Sequence, residues 1–233
     1  ARLLDEAGID IILVGDSLGM VVLGFEDTTE VTLDVMLHHT RAVARAVKRA
    51  LVVADLPFGT YDTATEALKN ARLLIEAGAQ AVKLEGGASH EKQIRAIVDA
   101  GIPLMAHIGM LPQSVRKEGG YKVKGRTEAE AKLLLDDALA VQKAGAFSVV
   151  VEIVAAETTR QITEALEIPT VGIGSGESCD GQILVTHDLI GLFPWFVPKF
   201  VRPEADVASE IRKAAQAFIE RTQVRSEVAD QAS

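Results

Sequence analysis

"EAGIDIILVG", residues 6 to 15, is the stretch on which the fold reading turns. A helical end reaches Gly8, and a short apolar run from Ile11 to Val14 follows at once. Glycine in that place lets a helix stop in the left-handed conformation. An apolar run that does not alternate with polar residues suits a strand buried on both faces. The pattern recurs in "EAGAQAVKLEGG" (76 to 87), "DAGIPLMAHIG" (99 to 109) and "KAGAFSVVVEI" (143 to 153), with Gly78, Gly101 and Gly145 in the place of Gly8. Strands covered on both faces and separated by helices are parallel βα units.

Working outward, "ALVVADL" (50 to 56), "PTVGIG" (169 to 174) and "QILVTHD" (182 to 188) bring the expected strands to seven. Apolar residues at three- and four-residue steps predict helices over 32 to 49, 64 to 78, 128 to 145 and 156 to 166. The opening "ARLLDEAGID", with Leu3, Leu4 and Ala7 ahead of Gly8, reads as the last turns of a helix. The expectation is an α/β fold, a (β/α)8 TIM barrel forming a single domain over residues 1 to 233, with strand one and part of its helix absent from the start of the chain. An open doubly wound sheet has the same strand content and stays open as an alternative. From about residue 203 the stripe Val207, Ile211, Ala215 and Phe218 predicts a closing helix, followed by a frayed tail to residue 233.

Composition narrows the partners. The chain has 233 residues and a formal net charge of −9, which does not favour the phosphate attraction of a nucleic-acid binder. No apolar run is long enough to span a bilayer, so no membrane partner is expected and the default location is the cytoplasm. The single cysteine, Cys179, forms no intrachain disulfide.

In a parallel barrel the carboxyl ends of the strands form the mouth that holds the active site. Polar residues stand there in succession: Asp16 and Ser17 after "IILVG", Asp55 after "LVVA", Lys83 and Glu85 in "AVKLEGG", His107 after "PLMA", and Glu152 after "SVVV". Alternation along the strand puts Lys83 and Glu85 on one face. Taken singly, Asp16 and Ser17 suit a helix cap, Asp55 a turn, Lys83 with Glu85 an ordinary ion pair, and His107 a hydrogen-bonded core residue. Glu152 is harder to dismiss, because a carboxylate in an apolar run is costly to bury without a partner. The same placement on five strands favours one shared site.

Three acids from neighbouring strands supply hard oxygen donors of the kind that suit Mg²⁺, an ion that keeps water and leaves positions for substrate oxygens. Such an ion can chelate a 2-oxo acid through its carboxylate and keto oxygens and stabilise the enolate formed when the adjacent carbon loses a proton. Glu152 is then the spare carboxylate that acts as base. Gly15 and Gly19 would leave room for a substrate carboxylate to approach the backbone. "GIGSG" (172 to 176) has only a weak likeness to a phosphate cradle, and no phosphate is assigned to it.

"VGDSLGMVVLG" (14 to 24), "ADLPFGTY" (54 to 61), "AVKLEGG" (81 to 87), "AHIGMLPQS" (106 to 114), "GGYKVKGR" (119 to 126), "PTVGIGSG" (169 to 176) and "CDGQILVTHDLIGL" (179 to 192) together resemble the ketopantoate hydroxymethyltransferase (3-methyl-2-oxobutanoate hydroxymethyltransferase) family of the phosphoenolpyruvate/pyruvate superfamily. The resemblance implies a transferase of pantothenate biosynthesis that moves a hydroxymethyl group from 5,10-methylenetetrahydrofolate to 3-methyl-2-oxobutanoate, giving 2-dehydropantoate. It implies Asp16, Asp55 and Glu85 at Mg²⁺, the last through water, and Asp16, Ser17, Asp55 and Lys83 at the 2-oxo acid. Glu152 takes the place of the proton acceptor, and His107 belongs to the pocket wall. The resemblance also implies a homo-oligomer, a decamer, with "GLFPWFVPKF" (191 to 200) as a packing surface or as a seal of the barrel. "GGYKVKGR" is expected to be a mobile loop at the mouth, with Tyr121, Lys122, Lys124 and Arg126 as folate-contact candidates. Two alternatives remain: a Mg-dependent lyase or mutase of the same superfamily, and a non-catalytic barrel scaffold. The lyases and mutases carry a cysteine in a mouth loop, whereas Cys179 lies near the last strand.

Overall fold

Seven strands make one parallel sheet, ordered in space as they are in sequence, in a computed structural model that describes residues 1–230. They are β1 (Ile11–Val14), β2 (Leu51–Asp55), β3 (Ala81–Lys83), β4 (Leu104–Gly109), β5 (Ser148–Glu152), β6 (Thr170–Ile173) and β7 (Gly181–Gln182). Gly8, Gly78, Gly101 and Gly145 all adopt positive φ, between 80° and 108°, so each Ala-Gly pair does end a helix ahead of a strand. The chain divides into two units, Ala1–Ile183, which holds the sheet, and Leu184–Ser233.

The crossovers are amphipathic helices with designed starts. Leu33–Ala46, Ala64–Glu76 and Glu128–Lys143 are each preceded by a threonine, Thr32, Thr63 and Thr127, whose hydroxyl accepts from a backbone N–H of the first turn. At Thr127 the Glu130 carboxylate reaches back to the cap N–H, completing a capping box. Glu91–Asp99 and Ala156–Ala165 complete the helices packed between strands. Their apolar faces meet the outward residues of the sheet: Leu74, Ile94, Ile97 and Ile162 lie with Val52, Ala54, Val82, Leu104, Val149 and Val151 in one large cluster.

The opposite face of the sheet has its own small core. Val53, Ala81, Met105 and Val150 pack together there with Leu13, Val171 and Ile173. Register carries this layer to the carboxyl ends: Val53 pairs with Ala81 and Asp55 with Lys83, while His107 pairs with Val150. Side chains two residues further along share the face of those before them. Asp55, Lys83, His107 and Glu152 therefore each follow an inner-core residue, Val53, Ala81, Met105 or Val150, by two positions.

Among the described residues the sheet has seven strands, with β1 and β7 at its two edges. "QILVTHD" is not a strand over its length. Only Gly181–Gln182 pairs with β6, and Thr186–Leu189 forms a short helix. Gln182 ends the pairing, and the helical turn that follows is capped at Val185 with no side-chain bond. In the second unit one helix runs from Val207 to Asp230, where the stripe Val207, Ile211, Ala215 and Phe218 predicts a closing helix; of the tail expected to fray, residues 231–233 lie outside the described residues. No helix among the described residues is long and apolar enough to cross a membrane.

Candidate active site

All the strand-end residues singled out from the sequence except Ser17 are joined by contacts at the carboxyl ends of β1 to β5. Asp16, Asp55, Lys83, Glu85 and His107 are buried, while the Glu152 side chain keeps 14 % of its exposure. The Asp16 N–H donates to Asp55 Oδ2 at 3.1 Å, tying the end of β1 to β2. Lys83 Nζ stands 2.5 Å from Asp55 Oδ1 and 3.4 Å from His107 Nδ1. His107 connects the other two acids, with Nδ1 3.5 Å from Glu85 Oε1 and Nε2 3.1 Å from Glu152 Oε2.

Ser17 is half-buried and precedes the short helix Leu18–Val21, but its side chain makes no capping bond. The capping account of this serine is thereby removed. A Cβ on Gly15 would meet Ser17 Oγ at 3.2 Å and Asp55 Oδ2 at 3.5 Å, so a side chain there would crowd both. Gly19 serves packing instead: a Cβ there would stand 2.5 Å from Val31 Cγ2.

The sequence reading missed Gln113. Its backbone N–H donates to Glu85 Oε2 at 3.0 Å, and its Nε2 donates to Asp16 Oδ2 at 2.8 Å and to the Leu56 carbonyl at 3.1 Å. Its Oε1 accepts from the Tyr61 hydroxyl at 2.5 Å. One buried residue thus holds two of the three acids, Glu85 through its main chain and Asp16 through its side-chain amide. The only signal in the sequence is a glutamine after proline in "GMLPQS", which reads equally well as a turn.

Charge in this cluster is unbalanced. Burial raises the Asp16 carboxyl well above its usual range, and the neighbouring Asp55 and Glu85 charges add to the rise. Burial also raises Asp55, against the pull of the Lys83 ammonium. Burial acts on Glu85 in the same sense, but hydrogen bonding from His107 and the cationic neighbours outweigh it and hold this acid low. Burial would lower Lys83, yet the surrounding carboxylates of Asp55, Glu85 and Asp16 hold its proton more tightly than usual. Burial and the Lys83 charge oppose protonation of His107, but its bonds to Glu152 and Glu85 win and raise it to about 9.

Among the described residues no three acid, histidine or cysteine side chains converge as a ready-made metal shell. The donor set nevertheless fits a hard divalent cation. Asp16 and Asp55 are buried acids held against each other, and Asp55 Oδ1 has the Lys83 ammonium beside it but no aligned hydrogen bond. A site that offers two carboxylates and expects water and substrate oxygens for the rest suits Mg²⁺. Glu85 has Oε2 bonded to the Gln113 N–H and Oε1 facing His107, so both of its oxygens already meet protein groups.

The loop from Gly119 to Arg126 reaches the same place. The Lys124 N–H donates to the Ile153 carbonyl and the Ala155 N–H to the Lys124 carbonyl, both at 2.9 Å, so the loop is fastened beside Glu152. Ser175 of "GIGSG" does not cradle an anion. It is 1 % exposed, and its hydroxyl is bonded to the main chain of β5. Cys179 lies half-buried under β6, where a Cβ on Gly172 would meet its sulfur at 3.1 Å, and it takes no part in the acid cluster.

The fold has counterparts among solved structures, some of them members of the phosphoenolpyruvate mutase/isocitrate lyase superfamily. The chain is similar in fold to phosphoenolpyruvate phosphomutase from Streptomyces platensis subsp. rosaceus, with a TM-score of 0.61 at 18 % identity over 95 % of this chain and 78 % of that one. It is also similar to 2,3-dimethylmalate lyase, a member of that superfamily, with a TM-score of 0.53 at 17 % identity over 73 % of this chain and 61 % of that one. Sequence narrows the class. The family model of ketopantoate hydroxymethyltransferase matches residues 1–227, and the chain belongs to that family. Among its relatives, the 3-methyl-2-oxobutanoate hydroxymethyltransferase of Heliobacterium modesticaldum is 55 % identical over 216 residues, covering 92 % of this chain and 78 % of the relative. The protein of the same name from Acetivibrio thermocellus is 53 % identical over 222 residues, covering 94 % and 78 %.

Proposed function

We propose that the chain transfers a hydroxymethyl group from 5,10-methylenetetrahydrofolate to 3-methyl-2-oxobutanoate, forming 2-dehydropantoate. Family membership supplies the substrates. The observation that carries the chemistry is the alignment of Asp55, Lys83, His107 and Glu152 on one face of the sheet, directly beyond its inner core.

Asp16 and Asp55 would hold Mg²⁺ directly and Glu85 through water; the ion would polarise the keto and carboxylate oxygens of the 2-oxo acid. The Lys83 ammonium brings fixed positive charge to the same oxygens, and Ser17 offers its hydroxyl to the substrate carboxylate. Preorganised charge of this kind favours the transition state, in which negative charge grows on the keto oxygen. Glu152 removes the proton from C3. His107 Nε2 stands 3.1 Å from Glu152 Oε2, without an aligned hydrogen bond, and Oε1 is the oxygen left for that proton. Water adds to the methylene carbon of the folate, both C–N bonds to that carbon break, and tetrahydrofolate leaves with the two water protons on its nitrogens. The electron pair of the broken C–H bond then forms the new bond from C3 to the formaldehyde carbon, whose oxygen takes the proton held by Glu152 and becomes the hydroxyl.

The finer architecture we infer is a (β/α)8 barrel, supported by seven consecutive parallel strands with one core on each face. A homo-oligomer is supported by exposed aromatic residues in the second unit, where Trp195 is 78 % and Phe196 55 % exposed. The function is tested by supplying purified protein with both substrates and Mg²⁺ and following 2-dehydropantoate by mass. Formation of a product 30 Da heavier than the 2-oxo acid supports the reading. Return of both substrates unchanged from folded, Mg²⁺-saturated protein overturns it.

A further inference from the structure

Ile153, the residue after Glu152, is the one non-glycine with positive φ among the described residues, at 48°. A β-branched side chain tolerates that conformation poorly, and it persists only where surrounding bonds over-determine it. Here every neighbouring main-chain group is held. The Ile153 N–H donates to the Ile173 carbonyl at 2.9 Å, and the Glu152 carbonyl accepts from the Met110 N–H at 2.8 Å. The Ile153 carbonyl accepts from the Lys124 N–H at 2.9 Å, and two further groups, one on each side of the strained turn, meet a single side chain: Ser175 Oγ donates to the Val151 carbonyl at 2.8 Å and accepts from the Val154 N–H at 3.0 Å. A third contact, to the Ile173 carbonyl at 3.2 Å, competes for the same proton.

Only a short hydroxyl can donate and accept across this gap. Val151 and Val154 are buried, so water does not replace it. Gly174 and Gly176, both at positive φ, turn the chain so that Ser175 points back into the end of β5. The conformation fixed in this way is that of the residue pair Glu152–Ile153. We propose that Ser175 is a positioning residue for Glu152, locking the strained turn that sets its carboxylate against His107.

This inference rests on the reading of Glu152 as the proton acceptor. Its test is a double-mutant cycle on deuterium uptake at C3 of 3-methyl-2-oxobutanoate in heavy water with saturating Mg²⁺. Ser175→Ala is expected to slow uptake about 10- to 100-fold, as expected for a misplaced catalytic group, with KM for the 2-oxo acid within about twofold of wild type. Glu152→Gln and the double variant should be equally slow, because Ser175 acts only through Glu152. Unchanged uptake in folded Ser175→Ala, or a further loss in the double variant, overturns the proposal. Unchanged uptake in Glu152→Gln overturns the reading beneath it instead. Should the alanine variant not fold, Ser175→Cys, of nearly the same size but a weaker donor and acceptor, enters the same cycle with the same outcomes.

Discussion

Lys83 Nζ lies 2.5 Å from Asp55 Oδ1, with the two side chains 4 % and 2 % exposed, and the pairing of β2 with β3 sets them side by side. Removing one member of a buried ion pair leaves a charge without compensation, at a cost of about 3–5 kcal/mol. Lys83→Met should lose that order of stability in urea denaturation at pH 7. Adding Asp55→Asn should restore part of it. A double variant less stable than Lys83→Met alone would show that the pair does not carry this energy.

Metal-free protein should become less stable as pH rises through the range of His107. Its folded value is raised to about 9 from an ordinary 6.5, so its contribution is complete below 6.5 and is lost between 6.5 and 9. Asp16 and Asp55 are also raised and act in the same direction, from pH about 3.8 upward. Glu85 is lowered, so its stabilising contribution is present above about 4.5 and disappears as pH falls. Thermal melts in chelator should show Tm falling from pH 6.5 to 9, and His107→Gln should flatten that part of the curve.

Mg²⁺ should stabilise the protein by mass action, by about 2.7 kcal/mol at one hundred times its dissociation constant. Chelation should remove that gain together with activity, and readdition should restore both. In Asp16→Asn with Asp55→Asn the Mg²⁺-dependent rise in Tm should vanish. A rise equal to wild type would place the ion elsewhere.

Gln113→Leu should strip partners from Asp16, Leu56 and Tyr61 together while keeping the backbone bond to Glu85. An orphaned buried polar group costs about 1–3 kcal/mol, so the loss should exceed that of Tyr61→Phe, which frees a single acceptor. Chemical denaturation measures the order of the two variants, and a weaker apparent affinity for Mg²⁺ in Gln113→Leu checks the link to Asp16.

Gly109→Ala should disturb the base directly. Gly109 has φ of 99°, and a Cβ there would stand 2.3 Å from the Glu152 carbonyl oxygen, so the end of β5 must shift. The expected result is a fall in kcat of about tenfold or more with KM little changed, since misplacement of a catalytic group acts on the chemical step.

Local signals made the framework legible. Ala-Gly helix ends and continuous apolar runs marked the first six strands, because those features report backbone conformation and two-sided burial within a few residues. The run Ile183, Leu184, Val185 misled, since apolar character alone does not separate a strand from the approach to a short helix. At the site, Asp16, Asp55, His107 and Glu152 could be singled out because each stands at the end of an apolar run, and Lys83 and Glu85 because strand alternation puts them on one face. Gln113 and Ser175 could not. Each sits among glycine or proline residues that read as turns, and each gains its place from partners distant in sequence, Asp16 and Glu85 for the first and Val151 and Val154 for the second.

The proposed chemistry stands on Glu152 removing the C3 proton beside Asp16 and Asp55. Its most direct measurement follows that proton by NMR, as 3-methyl-2-oxobutanoate incubated in heavy water loses its C3 signal without any folate present. Wild-type protein with Mg²⁺ should catalyse the loss, while chelated wild type and Mg²⁺-loaded Glu152→Gln should not. Loss of the signal at the wild-type rate in folded Glu152→Gln would contradict it.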